Sequence, residues 1–139
     1  MVELIVAIAI VGILAAIGVP MLNSNIRTAK NADAQNTLRT IYLMQKNYFS
    51  ENYCYYVNSG SGDMASSINQ ILLGSSTPLS GPITTGSSND FIFYILPGTV
   101  GQGGSCTGSL SNDYVVYAKS KTNSSLIYSI NQQNVKSGF

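Results

Sequence analysis

From residue 4 to residue 22 the chain reads LIVAIAIVGILAAIGVPML, with no charged or strongly polar side chain. A helix over that run rises about 28 Å, close to the hydrocarbon thickness of a bilayer. Three readings compete. A cleavable secretory signal carries basic residues ahead of its apolar stretch, whereas Met1, Val2 and Glu3 stand there. A buried core helix shows a polar face, and this run has none. A membrane-spanning or membrane-stored helix fits best.

The helical pattern continues in a different form. Ile26, Ala29, Asp33 or Ala34, Thr37 or Leu38, Ile41, Met44 or Gln45, Tyr48 and Phe49 recur at steps of three and four, with Arg27, Lys30, Asn31, Gln35, Arg39 and Lys46 between them. Such spacing predicts an amphipathic helix with a core-facing stripe. No glycine or proline interrupts residues 21–59, so one helix is expected over about 3–51, roughly 70 Å long. Globular helices average near a dozen residues. What remains of the chain is too small a body to cover the first half. That half is expected to project, held by lipid in the monomer and by neighbouring subunits in an assembly.

The remaining positions predict an α+β head. Residues 63–73 form a short helix with Asp63 as N-cap and Gly74 as C-cap, and 74–89 form an exposed loop. Strands are expected over 91–96, 114–120 and 126–131. Residues 98–108 connect two of them and carry Cys106; 121–125 turn the last two into a hairpin. Three or four strands laid on residues 26–49 account for the core. The expected organisation is an apolar helix, 1–24, followed by a head, 25–139, made of the half-helix 25–51 and a sheet region 52–139.

Composition narrows the chemistry. The 139 residues include no histidine and no tryptophan, seven Lys/Arg and six Asp/Glu. Without histidine the commonest general base is missing, the acids are scattered, and no glycine-rich phosphate cradle is present, so no catalytic, cofactor or metal residue is assigned. A net charge of +1 gives no reason to expect a polyanion-binding surface. Low charge weighs against strong nucleic-acid binding by one subunit, while a polymer repeats every weak site many times.

Single residues then stand out. Cys54 and Cys106 are either free buried thiols or a disulfide, and export of the chain favours the disulfide. Glu3 either sits at the headgroup level beside the positive helix terminus or, among packed copies of the helix, needs a cationic partner or loses its charge. With no Lys or Arg before Arg27, an α-amino group at a chain start is the cheap partner. Gly12, Gly18 and Pro20 mark either an ordinary kink or a segment that loses helix when subunits assemble. Tyr48, Tyr53, Tyr55 and Tyr56, among nine tyrosines, read as core and rim packing. Asn123-Ser124-Ser125 is formally an N-glycosylation sequon, making Asn123 a candidate.

Val2-Glu3-Leu4 followed by IVAIAIVGILAAIGVP resembles the N-terminal signature of class III signal-peptide proteins, the type IV pilins and their pseudopilin relatives. The resemblance is specific over residues 2–22 and moderate to the end of the long helix. It implies a head folded as an antiparallel β-sheet against the amphipathic part of the helix, prepilin peptidase processing, and a methylated terminal phenylalanine about two residues ahead of Met1. It implies that Glu3 pairs with the N-terminal amine of an adjacent subunit, and that Gly12 and Pro20 bound the stretch that melts in assembled pili. The function implied is a structural subunit, stored in the inner membrane and polymerised with identical subunits by the pilus assembly machinery. The product is an extracellular filament for adhesion, twitching motility or DNA uptake. Two other readings stay open: a pseudopilin of a type II secretion system, and a membrane-anchored binding module that does not polymerise. The calcium site frequent in pseudopilin heads finds little support, because Asp90 and Asp113 are isolated in the sequence. Cys54 directly after the helix departs from the family's common C-terminal disulfide loop.

Overall fold

A computed structural model describes residues 2–58, 60, 62–74, 90–98, 106, 108 and 110–139. Most of the predicted loop 74–89 and of the connection 98–108 lies outside the described residues. Two compact units divide between Asp33 and Ala34.

Helix α1 runs Val2–Asn52 without interruption, through Gly12, Gly18 and Pro20. In the first unit the described side chains face solvent along all but the last turn, as a run with no polar face and no second element must. Burial begins at Ala34. In the second unit Ala34, Leu38 and Ile41 form the helix's contribution to the core, at the expected steps of four and three, with Thr37 and Gln45 beside them. Ile26 and Ala29, expected on the stripe, are exposed instead. Of the paired alternatives, Ala34 and Gln45 are buried while Asp33 is exposed and Met44 intermediate; Thr37 and Leu38 are both buried.

The helix ends in an unusual way. Tyr53 takes a left-handed φ of 57°, and its N–H donates to the carbonyl of Phe49 at 2.8 Å. That is the usual helix-ending geometry with a tyrosine where glycine or asparagine is preferred. The next residue, Cys54, is joined to Cys106 by a disulfide, with their Cα atoms 6.1 Å apart.

Four strands build the main sheet in the order β2 (Phe91–Pro97), β4 (Tyr114–Ser120), β5 (Ile127–Asn131) and β6 (Lys136–Ser137), all antiparallel. The period-two alternation sorts the faces. Phe93 opposite Ala118, and Ile95 opposite Val116, face the helix along with Tyr128 and Ile130. The turn between β4 and β5 is held by Asn123, whose Oδ1 accepts the Ser125 N–H at 3.1 Å. A smaller sheet pairs β1 (Tyr55–Tyr56) with β3 (Leu110–Ser111).

The free edge of β2 is partly covered. Asn58 donates its N–H to the Ile95 carbonyl at 2.8 Å, and Met64 to that of Phe93 at 2.9 Å. Groups that would otherwise template another chain are thereby satisfied. Helix α2 (Ala65–Leu72) follows, burying Ala65, Ile68 and Asn69. Its caps differ from the expectation by one residue. Met64 is the N-cap and its side chain makes no capping bond; Asp63 accepts the Ala65 N–H at 3.4 Å from one position earlier. Leu73 is the C-cap, and Gly74 follows it with a φ of 63°, where a side chain would be strained.

Candidate functional site

The long helix carries the residues singled out for assembly. Glu3 lies in the first turn of α1, exposed. Around it the large apolar side chains of residues 2–22 keep between 51% and 74% of their surface exposed. Within the described residues α1 alone is long and apolar enough to cross a membrane. A Cβ placed on Gly12 or Gly18 would meet no atom within 4 Å, so neither glycine serves a close contact among the described residues. Glu3, Gly12 and Pro20 are not gathered into one site; they are strung along about 25 Å of a single helix axis. What the segment offers is an uninterrupted apolar surface with one carboxylate at its mouth.

The head is organised around the helix end. Gln45 is fully buried, and its amide grips one backbone unit from both sides: Nε2 donates to the Tyr56 carbonyl at 2.6 Å, and Oε1 accepts the Tyr56 N–H at 3.0 Å. This pairs β1 to the helix as another strand would. Sequence reasoning gave Gln45 only as an alternative to Met44; a polar side chain on a core stripe was the available signal. Beside it Phe49 stacks on Tyr55 with ring centroids 4.6 Å apart, and Tyr55 tilts against Tyr114 at 4.7 Å. Lys46 Nζ lies over the rings of Tyr42 and Tyr55, at 5.5 and 5.8 Å.

The tyrosines divide by environment. Tyr55 and Tyr56 are core, Tyr48 is partly buried against them, and Tyr53 is 79% exposed. The Tyr114 hydroxyl is buried without a hydrogen-bond partner among the described residues, and burial drives its phenol well above the usual value. Burial also raises Tyr56 and Tyr94, the latter aided by Tyr117, on which it stacks at 5.1 Å. No cluster of three metal-ligating side chains exists among the described residues. Asn123 is exposed at the β4–β5 turn with its side-chain oxygen occupied by Ser125.

The long helix, apolar in its first half, is followed by an antiparallel sheet and a disulfide, an α+β arrangement consistent with the resemblance of its N-terminus. Over 51 residues, 37% of its length, the chain is 39% identical to the type IV major pilin protein PilA of Myxococcus xanthus. It spans 23% of that relative's length. No family profile matches the chain, and no solved structure does. The helix, the disulfide-bearing head and this likeness together support a type IV pilin.

Proposed function

We propose that the chain is the structural, non-enzymatic subunit of a type IV pilus. Residues 4–22 hold the monomer in the inner membrane, and the same surface becomes the shared centre of an extracellular helical filament. Prepilin peptidase and the pilus assembly machinery act on the chain before and during that transfer. Adhesion, twitching motility and DNA uptake are the services such a filament offers.

The observation that carries the reading is the apolar surface of residues 2–22, which is exposed among the described residues. In lipid it is matched by the acyl chains. In a fibre it is matched by copies of itself, through packing and the exclusion of water. A filament needs one surface complementarity repeated without closure, and an apolar rod provides it. Glu3 sets the register by meeting the terminal amine of a neighbouring subunit, since a desolvated carboxylate needs a cation.

Glu3→Ala tests this. Sheared surface filaments should vanish or fall at least tenfold in amount, while the variant still fractionates with the inner membrane. Filaments at wild-type abundance would instead favour a membrane-anchored module in which Glu3 merely faces the headgroups.

A further inference from the structure

Immediately after the apolar run, the helix surface changes character. Asn23, Ser24, Arg27, Thr28 and Asn31 line one open polar groove along α1. Their spacing of one, three, one and three residues places them on a single helix face. The Thr28 hydroxyl donates to the Ser24 carbonyl at 3.1 Å, so this turn satisfies itself. The Arg27 guanidinium has no hydrogen-bond or ion-pair partner among the described residues. Lys30 follows one turn later, and no acidic residue occurs between residues 23 and 32. The face is therefore donor-rich and cationic.

Its depth is set by the sequence beside it. With residues 4–22 rising about 28 Å as helix, the hydrocarbon layer is filled at Leu22. Asn23 to Asn31 must then occupy the next ~12 Å, the headgroup layer. Phospholipid phosphates are there, each an acceptor with one negative charge and no proton to donate. A planar guanidinium with five N–H donors, flanked by amides and a hydroxyl, is complementary to such a group.

We infer that the Asn23–Asn31 face of α1 is a headgroup site for anionic phospholipid, with Arg27 as its central ligand. The inference rests on the membrane-stored monomer proposed above. It gives the stored form a specific lipid partner that the subunit must surrender on entering a filament.

The test reconstitutes the full chain into vesicles of equimolar phosphatidylcholine and phosphatidylglycerol. Flotation reports membrane insertion, and native mass spectrometry counts the lipids that stay bound. Wild type should retain phosphatidylglycerol in preference, and Arg27→Gln should lose about fivefold of that preference, one charge's worth at a membrane surface. Arg27→Lys should keep most of it, and Arg39→Gln, whose guanidinium already meets Asn36 in the head, should change nothing. Equal retention of both lipids, or an unchanged preference in Arg27→Gln, would overturn the site and leave the face to a neighbouring chain's carboxylate. Displacement by inorganic phosphate would overturn it too, reassigning the face to free phosphate. Failure of the wild-type chain to float would sink the membrane-stored monomer itself, whereas flotation without lipid preference would sink the headgroup site alone.

Discussion

At the scale of single residues, two buried polar groups act in opposite directions. Gln45 satisfies both backbone groups of Tyr56, at 2.6 and 3.0 Å, inside the core. Gln45→Leu keeps the volume and strands a buried N–H and a buried C=O, so the head should lose about 2–4 kcal/mol of stability. Denaturant unfolding of the full chain in detergent, followed by near-UV dichroism, measures the difference; a loss below 1 kcal/mol would mean the grip is dispensable. Tyr114 is the reverse case, a buried hydroxyl with no partner among the described residues. Tyr114→Phe removes that unsatisfied group and should stabilise the head by about 1 kcal/mol.

The same burial gives a pH dependence. Above the ordinary tyrosine value of 10.0 an unfolded chain releases its phenolic protons, while folded Tyr114, Tyr56 and Tyr94 hold theirs longer. The unfolded state then binds fewer protons than the folded one, so stability is intact below that value and falls as pH rises beyond it. Phenolate absorbance against pH should show a cooperative alkaline step that is smaller in Tyr114→Phe. Independent titration of every tyrosine at its ordinary value would contradict the buried placement.

At the scale of elements, what was legible in the sequence was what depends on near neighbours. The extent of α1 followed from unbroken helical pattern between a membrane-like run and Asn52, and β4 from alternating Tyr, Val and Ala. The strands β1, β3 and β6 were not legible, because two residues hold no period and their pairing is decided by partners far along the chain. The stripe was read about two turns too far toward Ile26, since periodicity reports which face is apolar and not where its cover ends. The assembly roles expected of Glu3, Gly12 and Pro20 rest on the N-terminal signature; Arg27 and Gln45 belong to no signature and stand out through the groove and the hydrogen bonds around them. The disulfide joins these levels. Spanning 52 positions, it stabilises the head by about 4 kcal/mol on a chain-entropy account. Reduction should cost most of that and should release β1 from β3 first, as Cys54 adjoins Tyr55. Hydrogen exchange at Tyr55 and Tyr56 against β4 would show it; loss of protection spread evenly over the head would argue that the bond staples no particular element.

At the scale of the whole molecule, the proposed function sets the helix in two environments with different demands. In lipid every backbone group must be paired within the segment, so the continuous helix seen through Gly12, Gly18 and Pro20 is the form that suits storage. Pro20 still withholds one N–H, and each glycine lowers helical preference by about 1 kcal/mol, making residues 12–20 the weakest part of the rod. Packed in a filament, the same backbone has neighbouring subunits around it, and tension along the fibre favours whichever form is longer. Extended backbone rises about 3.3 Å per residue against 1.5 Å for helix, so unwinding even a few residues lengthens each subunit appreciably. A fibre map should therefore show Gly12 to Pro20 partly non-helical, with helix intact on both sides, and Gly12→Ala with Pro20→Ala should restore helix there and stiffen the filament. Unbroken helix in the wild-type fibre would assign the two glycines and the proline to a kink and nothing more.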